Sequence, residues 1–240
     1  MLDESNGVRA HLLRLLRALP QQDIEPHVGQ MLLYIRAGLT HLAADIRSSA
    51  TDILLWATET CPNELVSCAG GWVKTLKCLL TVLHWHAHAP ANGTNTQPSS
   101  SNAWTSTRAP TLGTANAEGS LTVKTLNALA AFLRAGLHPA EELEYIPSQW
   151  PFPLRHVECH MIPKRSNAFA HLNLFGASRG EDGEMYVERE ERQKIFHQRF
   201  YAAVQSNVET ARKEGGDGGR AAARVGKALA EGMEGFESDE

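Results

Sequence analysis

Between Gly7 and Leu19 the apolar residues Val8, Leu12, Leu15, Leu16 and Leu19 recur at the spacing of one stripe on an α-helix. Ser5 or Asn6 offers a cap, Pro20 ends the run, and the intervening arginines give the helix a basic outer face. A second stripe, Val28, Met31, Leu32 and Ile35, predicts a helix from about His27 to Ala37, with Gly38 after its last turn. A third aligns Ile46, Ala50, Ile53, Leu54 and Ala57 between Asp45 and Thr60, before Pro62. A short helix over Asn63 to Ala69 is broken by Gly70-Gly71. Trp72 to Trp85 then places Val73, Leu76, Leu79, Leu80 and Leu83 inward. No segment before Trp85 alternates with a period of two, so the predicted core is all-α.

The helix openings repeat. Val8-Arg9 and Ile46-Arg47 lie 38 positions apart, close to the roughly 40-residue period of paired-helix HEAT or armadillo units. Val73-Lys74-Thr75-Leu76 and Val123-Lys124-Thr125-Leu126 open later helices in the same way, at irregular spacing. The fold class expected is therefore an armadillo/HEAT-like helical-repeat solenoid. In such a solenoid a basic residue near a helix start can reach an acidic group on the next unit. Asp45 and Arg47 suit that ladder, and ordinary helix starts with exposed charges are the alternative.

The pattern also divides the chain. Residues 1–86 form the expected helical-repeat core. Residues 87–120 collapse into Ala, Asn, Thr, Pro, Ser and Gly, a composition that buries too little surface to offset ordering entropy, and predict a disordered insertion. Residues 121–214 hold a helix at Leu121 to Leu137 with Leu126, Leu129, Ala130, Leu133 and Leu137 inward. They also hold an irregular proline- and aromatic-rich strap containing Trp150-Pro151-Phe152-Pro153, and a last helix from about Val187 to Lys213. That helix turns Ile195, Phe196, Phe200, Val204 and Val208 inward, and its acidic start suits the helix dipole. Residues 215–240, with a glycine-rich run and the acidic end Glu237-Ser238-Asp239-Glu240, are expected to be a flexible tail.

A net charge of -4 among 240 residues gives no general excess of Lys and Arg for neutralising phosphates, so any RNA contact has to be local. The cysteines Cys61, Cys68, Cys78 and Cys159 lack paired short spacings and read as free thiols of a reducing compartment, cytosolic or nuclear. No stretch approaches the roughly 18 consecutive apolar residues of a membrane span.

Candidate chemistry is sparse. His84, His86 and His88 would present three imidazoles on one face of a strand, but they sit where a helix ends, and imidazoles approaching terminal carbonyls are the simpler reading. His156, Cys159 and His160 could ligate zinc or supply a thiol nucleophile, yet no further ligand pair or orienting group accompanies them. Gly70-Gly71 and Gly215-Gly216-Asp217-Gly218-Gly219 lack the Lys-Ser/Thr ending of a nucleotide loop. No catalytic residue, metal site or cofactor is assigned.

The run Leu33-Tyr34-Ile35-Arg36-Ala37-Gly38-Leu39-Thr40-His41-Leu42 is followed by Asp45-Ile46-Arg47 and then by Val66-Ser67-Cys68-Ala69-Gly70-Gly71-Trp72-Val73-Lys74-Thr75-Leu76. In order and wording this block resembles the Ipi-type pre-rRNA processing proteins, whose animal relatives are the testis-expressed ten proteins. The resemblance implies an armadillo-type, non-enzymatic subunit of the Rix-type complex, nuclear and without cofactor. It implies a role on large-subunit precursor particles, in removal of the second internal transcribed spacer. The implied partners are a Rix-type helical scaffold, a WD-repeat propeller, an AAA ATPase of the midasin type and the pre-ribosomal particle. That family usually has a longer basic region before its repeats, so the chain is expected to be a fragment or a shortened form. Trp and Arg are common binding anchors, which marks Arg36, Trp72 and Lys74 as candidate partner-binding residues, with packing between helices the competing reading for Trp72. A generic HEAT or armadillo adaptor is the alternative function.

Overall fold

The apolar stripes become packed helices in the computed structural model, which describes residues 1–85, 115–138 and 181–236. Helix α1 spans Asn6–Ala18 and stops before Pro20, whose ring has no N–H to continue it. Two short turns follow, α2 at Gln21–Ile24 and a 3₁₀ turn at Glu25–His27, where the sequence suggested no element. Helix α3 spans Val28–Leu39 and α4 spans Ala44–Thr60. Pro62 occupies the first position of α5, Pro62–Ser67, where its fixed φ suits a helix start. Helix α6 covers Trp72–Val82 and α7 covers Ala115–Leu137. After a 3₁₀ turn at Glu181–Gly183, α8 (Arg189–Phe196) runs through a π-helical stretch, His197–Tyr201, into α9 (Ala202–Glu214). Helix α10 spans Gly216–Gly232. Among the described residues there is no β-strand.

The helices stack in two layers. In one, α1 touches α4, α4 touches α7 and α7 touches α10. In the other, α3 lies on α4, α6 and α8 lie on α7, and α9 lies on α10. The shared core holds the residues read inward from the sequence, among them Leu32, Ile35, Ile53, Leu54, Leu76, Leu79, Leu129, Leu133, Phe196 and Val204. Each such side chain contributes about 1.5–3 kcal/mol through burial.

Three expectations differ from what is seen. Residues 115–120, expected within the disordered insertion, belong to α7, which starts six residues before the expected Leu121. The glycine-rich run expected to open a flexible tail forms α10, whose Ala221, Ala222, Val225, Ala228 and Leu229 are buried against α7 and α9. Small residues there let α10 approach closely: a Cβ on Gly232 would stand 2.6 Å from Leu137 Cβ. Finally, of the α1 stripe only Leu16 is buried, while Val8, Leu15 and Leu19 are exposed, because among the described residues α4 is the helix that α1 packs on in that layer and they face away from it. The rest of the insertion, residues 87–114, and the strap at 139–180 lie outside the described residues.

Candidate partner interface

Arg9 is the best-connected cation of the first layer. Its Nη2 donates to Asp45 Oδ2 at 2.5 Å, its Nε to Ser49 Oγ at 3.0 Å, and its Nη1 to the carbonyls of Asp3 and Glu4 at 2.5 and 2.9 Å. Such saturation is what allows a guanidinium to be only 1% exposed, since an unpaired buried charge would cost several kcal/mol. The hydrogen bond from Arg9 holds the Asp45 carboxyl below its ordinary pKa.

Similar rungs recur along the row. Lys124 of α7 donates to Asp52 Oδ2 and Ser48 Oγ of α4, both at 3.0 Å. Arg224 of α10 donates to Asn127 Oδ1 of α7 at 2.8 Å. Arg47, in contrast, turns back to the carbonyls of His41 and Leu42 and caps the end of the preceding loop. The basic residue at a helix opening thus joins neighbouring helices of one layer at Arg9 and Lys124, and Asp45 is the acceptor for Arg9.

The second layer gathers Arg36 and Lys74 around one glycine. Arg36 Nη1 donates to the Gly70 carbonyl at 2.8 Å, and the Gly70 N–H donates to the Glu184 carbonyl at 3.0 Å. Gly70 adopts φ 68°, the left-handed region where a side chain is strained, and a Cβ there would meet Lys74 Cδ at 2.9 Å. Lys74 is exposed beside this turn. Asp182 accepts from both Lys77 and Arg199, the latter at 2.8 Å, and so ties the 3₁₀ turn across α6 and the π-helical stretch. Next to Arg36, α3 exposes Leu33 and Tyr34. Exposed apolar side chains and a flexible cation are the kinds of group that protein interfaces use.

Trp72 does not belong to that surface, which corrects its placement among the candidate anchors. It is fully buried, stacked on Phe132 with ring centroids 5.2 Å apart and tilted against Phe196 at 6.2 Å. Its Nε1 donates to the Arg192 carbonyl at 3.2 Å. A Cβ on Gly136 would fall 2.2 Å from Trp72 Cζ3, so the indole fills the notch that this glycine leaves in α7. Arg192 completes the junction by donating to the Gly136 carbonyl at 2.8 Å and to those of Tyr186 and Val187. Its neighbours Arg189 and Gln193 bond the carbonyls of Leu137 and Gly232, closing the ends of α7 and α10. The sequence alone marks none of these three polar residues, because nothing local distinguishes them from the charged face of a helix.

The candidate chemical groups are only partly within view. His84 takes φ 58° and, with Trp85 N–H bonded to the Leu80 carbonyl at 2.8 Å, closes α6. His86, His88, His156, Cys159 and His160 lie outside the described residues. Among the described residues no group of three His, Cys, Asp or Glu is placed to hold a metal ion. Burial pushes the Cys61 thiol up to about 11 and raises those of Cys68 and Cys78, the opposite of what a thiolate nucleophile needs.

Residues 22–133 match the Ipi1_N family, described as a Rix1 complex component involved in 60S ribosome maturation. The pre-rRNA-processing protein ipi1 of Aspergillus clavatus is 48% identical over 240 residues, covering 96% of this chain and 67% of the relative. That of Aspergillus fumigatus is also 48% identical and is covered to 66% of its length. Pre-rRNA-processing protein IPI1 of Chaetomium thermophilum is 41% identical over 233 residues, covering 97% of this chain and 65% of the relative. The chain therefore spans about two-thirds of the length of the relatives it matches.

Proposed function

The chain belongs to the Ipi1 family of Rix1 complex components, and on that premise we propose that it is a non-catalytic scaffold subunit acting in large-ribosomal-subunit maturation and pre-rRNA processing. Its setting is the nucleus and its particle the precursor of the large subunit, where the complex supports removal of the second internal transcribed spacer. The 48% identity to relatives named for pre-rRNA processing, over 96% of the chain, carries this reading.

The partners proposed are a Rix-type helical scaffold, a WD-repeat propeller and a midasin-type AAA ATPase. Rigid stacked helices suit such a role, since side chains on a preformed surface bind without an ordering cost. The row α1, α4, α7 and α10, with its Arg9, Lys124 and Arg224 rungs, supports a helical-repeat solenoid. Within it we assign the partner contact to Arg36, Lys74, Leu33 and Tyr34. The net charge of -4 supports contact with proteins over contact with RNA.

Affinity purification of the tagged protein tests the proposal. Co-purification of Rix-type subunits and of precursor RNA retaining the second spacer is expected. Recovery of one other complex with no ribosome-assembly factor would instead identify an adaptor that works elsewhere.

A further inference from the structure

One hydrogen-bond pattern recurs at three helix entries. Arg9, Arg47 and Arg192 are each the fourth residue of their helix, in α1, α4 and α8. Each turns Nη1 back to the carbonyls six and five positions earlier: Asp3 and Glu4, His41 and Leu42, Tyr186 and Val187. Those carbonyls lie ahead of the helical ladder and need a donor from elsewhere. With Nη1 held twice, the planar guanidinium presents its Nε edge in a fixed direction.

What that edge meets separates the three. Arg9 Nε donates to Ser49 Oγ of α4 at 3.0 Å, and Arg9 Nη2 donates to Asp45. Arg192 Nε donates to the Gly136 carbonyl of α7 at 2.8 Å. Both cations are buried, and in both the Nε acceptor belongs to another helix. Arg47 holds its two carbonyls at 2.8 and 2.7 Å, yet among the described residues its Nε and Nη2 have no acceptor and neither is sealed from solvent. The carboxylates of its own helix are engaged elsewhere, Asp45 by Arg9 and Asp52 by Lys124. Residues 87–114, which precede α7, contain no Asp or Glu that could fill the edge. Beside it, Leu42 is 93% exposed.

We propose that the Nε–Nη2 edge of Arg47 binds a carboxylate of another polypeptide, an Asp or Glu flanked by an apolar residue that covers Leu42. At Arg9 the same edge already carries a hydroxyl and a carboxylate. Two parallel N–H groups match the two oxygens of a carboxylate. Because the guanidinium is held before the partner arrives, binding orders little that is not already fixed. This binding point is independent of the ribosome-assembly proposal, since it follows from the guanidinium geometry.

NMR of the isotope-labelled full chain tests it through the Nε–H group of each arginine. Those of Arg9 and Arg192 should exchange slowly with water, and that of Arg47 quickly. Two peptides capped at both ends, Leu-Glu-Leu and Leu-Gln-Leu, are then titrated. The Glu peptide should move the Arg47 resonance saturably and bind about fivefold tighter than the Gln peptide. Arg47→Lys should remove that difference, and Leu42→Ser should weaken Glu-peptide binding about twofold or more at an unchanged thermal midpoint. Slow exchange of the Arg47 Nε–H in the free chain overturns the proposal, because an acceptor within the chain would already hold it. A response no larger than at the exposed Arg14 and Arg17, or an equal response to both peptides, also overturns it.

Discussion

The Arg9 guanidinium and the Asp45 carboxylate meet at 2.5 Å between α1 and α4, the cation 1% exposed and the anion 60% exposed. The pair is asymmetric: Arg9 has left water and Asp45 has not. Arg9 and Leu16 are the buried residues of α1, and the half-buried Leu12 and Leu13 also pack against the core.

Asp45→Asn should lower stability by about 1 kcal/mol, a value reduced for screening at so exposed a carboxylate. The folded-state pKa of Asp45 is depressed below the ordinary 3.8, so its contribution is fully present above that value. It is lost as the pH falls through the lower folded-state value. Urea midpoints of wild type and Asp45→Asn should differ by a constant amount near neutrality and converge below pH about 4. A gap that persists unchanged into acid would refute the assignment.

Gly136→Ala should destabilise the protein even though alanine is the better helix former. The added Cβ falls 2.2 Å from the Trp72 ring, and overpacking of this kind costs about 1–3 kcal/mol. Gly29→Ala is the matched control, since a Cβ in that part of α3 meets nothing within 4 Å. It should stabilise by about 0.5–1 kcal/mol. Denaturant midpoints that shift in the same direction for both variants would contradict the packing described.

Cys61 should be almost inert to iodoacetamide at pH 8 in the native protein, and Cys68 and Cys78 should react slowly. Burial holds the first thiol at about 11 and raises the other two. Unfolding in urea should restore ordinary reactivity. Peptide mapping reads each residue separately, and fast native labelling of Cys61 would show that α4 and α5 open readily.

Lys74→Glu should leave the thermal midpoint unchanged, within about 0.5 kcal/mol of stability, because its side chain is exposed. It should nevertheless reduce recovery of the Rix-type scaffold in affinity purification. Trp72→Ala should behave differently, losing about 3–5 kcal/mol through the cavity left beside Phe132. Full partner recovery with Lys74→Glu would remove this residue from the interface.

The sequence by itself determined the helices and most of the core, because a helix that buries one face must repeat its apolar residues at that period. The stripes of α3, α4, α6 and α7 are buried as the spacing requires. The block from Leu33 to Leu76 was also enough to point to the family. Only the tertiary structure decided which apolar faces find a neighbour. The stripe of α1 looks like those of α4 and α7, yet Val8, Leu15 and Leu19 are exposed because among the described residues α1 packs on α4 through another face. Trp72, equally plausible as a surface anchor, is fixed inward by the notch at Gly136, 64 residues along the chain. The glycine-rich start of α10 reads as a tail, and becomes a helix because small residues fit closely against α7 and α9. Periodicity reports what each segment can bury, while the partners that complete the burial come from distant parts of the chain and leave no mark on the local pattern.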